Sequence, residues 1–490
     1  MSDVRAPGGS GEAGRAPGTG ALRGDSIGLP QVLFQSVTHM APAAAIAFSL
    51  LVAVPYAGPA LPLSVLLALV GCVLVATAIG QLAKEIPSAG GLYSYVARGL
   101  GPEAGLLTGW ALLLFQPLVA PAIILVFAAA TRDVVQHDVG WGYAGQWWIW
   151  VVLAVALVVA STYRGVRLST NAGIALGLFE IGVFLALSVW MVVSNLGDVT
   201  LAPFDPSHAP EGAVTGTFKG MVFAILAFIG FEAAAPLGEE ARRPRWTVPR
   251  AVVLSAVAVG ILYGFAAYAW VIGTGFDSFV AVTTAPDNPD PWRRLATVFW
   301  AGGWVLVFVA IANSALASAN AGATAATRIL YAMGRNGVLP RALARTHPAY
   351  RTPHVAVAAQ GALAVVVALL AGWAWGPQTA FVVLATAATI VVIVVYMTVC
   401  VASIAYFLRR RRAAFDPILH GAVPLLGAAA FAAPLYFQYA PLPPYPIRYG
   451  NWIAIGWLGA GVVVCAWMAR YRRHALVAAE RVFEEDQRSR

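Results

Sequence analysis

Charge is what this 490-residue chain has least of: Asp, Glu, Lys and Arg make up 11% of it, against 60% hydrophobic residues. So little polar surface excludes a soluble domain of this length, and a mean hydropathy of +0.75 suits a chain whose solvent is lipid. Cysteine is nearly absent too. Cys72, Cys400 and Cys465 each lie in an apolar segment, which argues against a disulfide set or a thiol metal site. The apolar stretches hold no cluster of His, Asp or Cys suited to an embedded enzyme. Nor do they hold repeated filter segments of a channel or a P-loop for an ATP-driven pump. No cofactor and no resident metal are expected. The first thirty residues lack an apolar run of signal-peptide type. Residues 1–26, rich in Gly, Ala, Pro and Arg, are expected to form a disordered tail.

What charge there is lies unevenly. Lys and Arg number 31 against 22 acids, a net of +9 that could suggest nucleic acid. All but Arg132, Lys219, Arg293, Arg294 and Arg448 fall on one side of the expected spans. This positive-inside asymmetry places both termini in the cytoplasm, makes the bilayer the partner, and leaves no call for nucleic acid. The expected location is the cytoplasmic membrane, crossed many times.

About 20 apolar residues are needed per crossing. The hydrophobic pattern predicts helices near 29–54, 61–84, 103–131, 146–163, 168–195, 213–237, 249–275, 294–334, 354–374, 378–408, 417–438 and 451–470. The fold class is therefore an all-α polytopic membrane protein with twelve transmembrane helices. These fill a domain of residues 27–470, followed by a charged cytoplasmic tail, 471–490. Sixteen tryptophans, among them Trp141, Trp147, Trp148 and Trp150, are expected mainly as interfacial anchors.

Two helices carry interruptions. The first holds Thr38-His39-Met40-Ala41-Pro42 near its middle, and Pro42 has no N–H for the ladder. The sixth holds Gly230, Glu232 and Pro236, and Glu232 is the only charge between Met221 and Leu237. An acid at membrane depth costs a few kcal/mol or more unless it is paired or lines a cavity. If the chain is two five-helix repeats, 29–195 and 213–408, plus two extra helices in 417–470, the interruptions occupy matching positions. Repeats with an odd number of spans have opposite topology, and matched broken helices point to a midplane substrate site. Taken alone, Pro42 is equally well read as a simple kink.

Three segments resemble the amino acid–polyamine–organocation (APC) superfamily. They are Lys84 to Trp110 (KEIPSAGGLYSYVARGLGPEAGLLTGW), Phe228 to Val252 (FIGFEAAAPLGEEARRPRWTVPRAV) and Ala326 to Pro340 (ATRILYAMGRNGVLP). With the twelve-helix plan the resemblance covers roughly residues 27–470. It implies a LeuT-like fold, a 5+5 inverted repeat plus two C-terminal helices, working by alternating access. It also implies a secondary transporter, not an enzyme, for an amino acid or related amine, coupled to protons or running by exchange. A polyamine or organic-amine transporter and a sodium-coupled symporter are the alternatives.

Carried onto this chain, the resemblance makes the amides of Ala43, Ala44 and Ala45 the expected partners of a substrate carboxylate. The carbonyls of Ala227, Phe228 and Ile229, beside Gly230, are the expected partners of its amino group. Half-helix N-termini attract anions and C-terminal ends attract cations, which gives the same assignment a physical basis. The chain departs from the family where a Gly-rich break is replaced by His39-Met40-Ala41-Pro42-Ala43. That change keeps a substrate without an α-carboxylate in play. It departs again in helix five, where Glu180 falls at about the position of a lysine that replaces sodium. Glu232 and Glu180 are the expected proton-coupling or gating acids. His39 and Gln116 are candidate substrate contacts, and Asn313, Ser314 and Ser318 a candidate cation site built of oxygens. The plain alternatives are a paired acid at a helix break, a histidine bound to a freed carbonyl, a polar link between helices, and small-residue packing. Glu239 and Glu240, beside Arg242, Arg243 and Arg245, are expected to form salt bridges at the cytoplasmic end.

Overall fold

A computed structural model describes residues 27–471, except 89, 139, 141–145, 166–169, 287, 336–338 and 351. The expected tails, 1–26 and the part of 471–490 beyond Tyr471, lie outside the described residues, as do Trp141, Arg167 and Arg351. Regular structure among the described residues is helical apart from one bridge, Ile27 with Ala241.

The chain opens with α1 (Leu29–Met40) and continues past Ala41 as α2 (Pro42–Ala44), a π-helical turn (Ala45–Ser49) and α3 (Leu50–Ala57). There follow α4 (Leu61–Glu85), α5 (Gly91–Leu100), α6 (Pro102–His137), α7 (Trp147–Arg164) and α8 (Thr170–Ser194). The second stretch comprises α9 (Ala213–Phe228), a 3₁₀ segment (Phe231–Glu239), α10 (Pro244–Thr274), α11 (Phe279–Thr283), α12 (Pro291–Trp300) and α13 (Trp304–Arg335). The chain ends with α14 (His354–Trp375), α15 (Pro377–Arg410), α16 (Val423–Tyr439) and α17 (Arg448–Tyr471).

Ten helical stretches of the described residues are long and apolar enough to cross a bilayer, or eleven if the pair bent by 41° between Phe228 and Phe231 counts as one. The expectation of twelve differs from this count for a physical reason. Between the helices expected at 29–54 and 61–84 the link Gly58–Ala60 is itself a 3₁₀ turn, so Leu29–Glu85 counts as one helical stretch of 57 residues although Gly58 takes φ 52°. Other boundaries differ as well. The expected helix at 294–334 is divided at Ala301–Gly303 into α12 and α13. The segment between the second and third spans is itself helical, as α5.

Burial sorts the helices. In α15 and α6, 83% and 78% of the most apolar stretch is buried, whereas 22% is buried in α7 and α17, which face outward. Without a hydrophobic drive between helices in lipid, close packing through small residues holds them together. Gly322 of α13 shows how close: a Cβ there would meet Val119 Cγ1 of α6 at 2.6 Å. Helix α6 also contains Pro121, whose missing N–H frees the carbonyl of Pro117 four residues earlier. Gln360 of α14 donates its Nε2–H to that carbonyl at 3.1 Å.

Gln360→Leu should therefore leave a buried carbonyl unpaired, at a cost of ~1–3 kcal/mol. The expected readout is a lower melting temperature of the detergent-solubilised protein. No change in melting would mean that the carbonyl has another donor.

Candidate functional site

The two interruptions meet in space. Ala41 takes a left-handed conformation, φ 50° and ψ 64°, and Pro42 opens the next turn. In the other half Gly230 has φ 122°, which only glycine adopts freely. A Cβ on Gly230 would stand 2.8 Å from both the His39 carbonyl carbon and the Met40 nitrogen. Glycine is thus needed at this position twice, for its dihedral angle and for the contact.

Breaking a helix strands main-chain groups, and inside a bilayer only protein can satisfy them. Hydroxyls do so here. Ser318 of α13 donates to the His39 carbonyl at 2.9 Å. Tyr263 of α10 lies 3.0 Å from the Met40 carbonyl and 3.0 Å from the Ala227 carbonyl. Its single proton is shared between the two broken helices. Ser36 of α1 donates to the Phe231 carbonyl at 2.9 Å and accepts the Ala234 N–H at 3.1 Å.

Each residue singled out in the sequence has a definite place. Ala43 and Ala44 are buried in the first turn after the break, where helical amides have no partner within the helix. The Ala45 amide is already committed, to the Ala41 carbonyl at 2.8 Å. Ala227, Phe228, Ile229 and Gly230 line the facing break, and the Phe228 ring stands edge-on to Tyr263. His39 is buried, and its Nε2 has no hydrogen-bond partner among the described residues. Gln116 is buried with its Oε1 unpartnered among the described residues, while the α6 side chains packed on Ala41 and Ala44 are Ile123 and Phe127, about two and three turns further on.

The two intramembrane acids differ in what holds them. Glu232 Oε2 accepts both the Gly230 N–H at 3.0 Å and the Tyr396 hydroxyl of α15 at 2.7 Å. It caps the 3₁₀ segment that follows the break, where a negative end is favoured by the helix dipole. Glu180 of α8 is 2% exposed and faces the Ser314 and Asn313 side chains of α13. One of its oxygens, Oε2, has no hydrogen-bond partner among the described residues. Its helix, α8, packs against α1, α10 and α13. The expected cation-site residues therefore divide: Asn313 and Ser314 lie beside Glu180, with Ser314 Oγ making no hydrogen bond among the described residues, and Ser318 bonds to the break.

Sequence reasoning missed Ser36, Tyr263 and Tyr396. Their only signal is a hydroxyl in an apolar helix, which marks no partner by itself. At the arginine-rich end, Ile27 pairs by main chain with Glu240 and Arg242, at 3.3 and 2.8 Å. Glu240, buried, comes within 3.7 Å of Arg328 on α13, and the Glu239 side chain is outside the described residues.

The family model described as amino acid permease matches residues 27–466, which takes in both breaks and nearly every helix above. The chain belongs to the amino acid permease family, within the APC superfamily of transporters. Among curated relatives, the low-affinity putrescine importer PlaP of Escherichia coli (strain K12) is 28% identical over 311 residues, 62% of this chain and 66% of that one. The branched-chain amino acid permease BcaP of Lactococcus lactis subsp. cremoris is 26% identical, covering 60% of this chain and 65% of its own. The match thus spans just under two thirds of these two relatives' lengths. The methylthioribose transporter of Bacillus subtilis is 26% identical over 440 residues, 83% of this chain and 86% of that one. In fold the permease is similar to the manganese transporter of Eremococcus coleocola, solved with an aromatic bis-isothiourea compound. The TM-score is 0.55 at 13% identity, covering 93% of this chain and 94% of that one.

The bonding at Glu232 makes a prediction. Glu232→Gln keeps an acceptor oxygen for Gly230 and Tyr396 and should retain the wild-type melting temperature. Glu232→Ala leaves two buried donors unpaired and should cost ~1–3 kcal/mol for each. Thermal unfolding of both variants decides it, and equal melting of the two would remove Glu232 from the cap.

Proposed function

We propose that this permease carries an amino acid or related amine by secondary active transport. It works by alternating access, with the substrate held where the two breaks meet and Glu180 carrying the coupling proton. The observation behind this reading is the contrast between the two acids. Glu232 has two donors on one oxygen, whereas Glu180 Oε2 has no partner among the described residues, on a helix packed against α1, α10 and α13. A carboxyl that is buried and unbonded on one side is free to gain and lose a proton as its surroundings change.

Several features support the rest. A stretch of 57 residues is about 85 Å long as a helix, nearly three times the ~30 Å hydrocarbon thickness. Gly58, with φ 52°, marks where it would reverse. Counting two crossings there and one for the bent pair restores the twelve helices, with repeats at 29–195 and 213–408. The arginine asymmetry then puts both termini in the cytoplasm. Acids dominate the site: Lys219, the buried cation of α9, is paired with Glu211 at 2.7 Å and lies about three turns from the break. That balance suits a substrate bearing an amine, the chemical class named for the putrescine importer and the branched-chain permease.

A second reading rests on Asn313 and Ser314. Together with Glu180 they offer oxygen donors of the kind a sodium ion prefers. One experiment separates the two: uptake of labelled amino acids and amines into proteoliposomes under imposed proton or sodium gradients. The expected result is accumulation driven by the proton gradient, and a loss of about tenfold or more in that accumulation for Glu180→Gln, with exchange retained. Accumulation that follows sodium, in a wild type indifferent to pH, favours the second reading. Accumulation under neither gradient, with no exchange, would falsify the transport proposal.

A further inference from the structure

The arginine-poor end of the bundle carries a charged cluster that the substrate site does not use. The last turns of helix α6 hold Asp133, 3% exposed, and Asp138 lies just beyond its end. Both carboxylates are clasped by Arg293 of α12, at 2.7 Å through Nη2 and 2.6 Å through Nη1. One arginine therefore ties α12 to α6. Asp290, itself buried, caps α12 by accepting the Arg293 N–H at 3.1 Å. Beside this clasp lies a cavity of about 430 Å³ lined by Asp138, Asn288, Asp290, Arg293, Arg294 and Thr297. On the other side of α12 the buried Trp292 packs on Trp270 of α10 at 5.5 Å and on Phe184 of α8 at 5.0 Å. Breaks in the chain bound the helix: it starts after Pro289-Asp290 and stops at Ala301, φ 49°.

We propose that α12 is a proton-sensitive latch on the outer face, held shut by the Arg293 clasp and sensing pH through Asp290. The assignment of the outer face rests on the arginine asymmetry. The charged groups facing Asp290 are Arg293 on its own helix and Asp133 from α6, with Arg294 and Asp138 lining the same cavity. Burial pushes the Asp290 carboxyl up to about 6, against the lowering pull of Arg293. Lifting α12 would return it to water and to an ordinary aspartate value near 4. The shut form therefore binds the proton more tightly. Acid conditions between about pH 6 and pH 4 favour the shut latch, and that preference is lost as pH rises above about 6.

The test is a distance measurement on the full-length protein, independent of any transport assay. The native cysteines are buried, so spin labels at Gln136→Cys and Val298→Cys, both at exposed positions, report the separation of α6 and α12. Between about pH 5 and pH 7.5 the ratio of long to short distances should rise about tenfold. Asp290→Asn keeps an acceptor oxygen for the cap and should hold the short distance at both pH values. Arg293→Gln should give the long distance at both, and Asp138→Asn, at the more exposed arm of the clasp, should shift the ratio the same way if the first variant folds poorly. A distance distribution unaffected by pH, or a pH response that survives in Asp290→Asn, overturns the latch.

Discussion

A main chain can leave the helix inside a bilayer only where something replaces the water it would otherwise bind. At the contact of Gly230 with His39 and Met40 the replacement is a set of hydroxyls: Ser36, Tyr263 and Ser318. The consequence is mechanical. Tyr263 touches a carbonyl of each broken helix, so moving one without the other strands a buried acceptor, at a cost of ~1–3 kcal/mol. The two breaks therefore behave as one joint, and whatever shifts α10 shifts both.

The joint is built asymmetrically. Gly230 holds its positive φ without strain, whereas Ala41 holds φ 50° at a cost of roughly 1–2 kcal/mol for an L-residue. Ala41 packs with Ala44 and Ala315, against Ile123 and Phe127, and that packing fixes it in place. An alanine here narrows the space beside the first break. With Pro42 lacking an N–H and the Ala45 amide bonded back to Ala41, Ala43 and Ala44 remain as the first-turn donors. The first break thus offers few main-chain donors, and carbonyls on both sides of the joint are held by hydroxyls. The two acids behind the joint differ too: Glu232 accepts the Gly230 N–H and the Tyr396 hydroxyl, while Glu180 Oε2 has no partner among the described residues.

How much of this was legible in the sequence follows from what each signal measures. Pro42 and Gly230 punctuate a helix whatever surrounds them, so both breaks could be read directly. The acids Glu180 and Glu232 stood out by their cost in lipid, but their roles did not, because Tyr396 lies 164 residues from Glu232. Hydropathy reports length and apolarity, not turns, so it placed the spans near their observed positions yet divided Leu29–Glu85 differently from the helical run. Short helices such as α5 and α12 mix polar and apolar faces and fall below any spanning threshold. The clasp of Arg293 on Asp133 and Asp138 joins residues 155 or more positions apart, and nothing local announces it.

The two ends of the bundle are tied by different contacts, and the difference bears on how a carrier could alternate. At the arginine-rich end the contacts include an exposed pair, Arg411 with Glu85, a long pair, Arg328 with Glu240, and two main-chain bonds to Ile27. At the other end Arg293 makes two short bonds with its side chain 19% exposed. Exposed ion pairs contribute about 0–1 kcal/mol, and sheltered ones cost more to break once a charge is left alone. A gate must be breakable by a ligand that shifts the balance by only a few kcal/mol. Loose pairs at one end satisfy that requirement directly. The tighter clasp at the other end satisfies it only if something else lowers its hold, and titration of a buried carboxyl beside it is a means already built into α12.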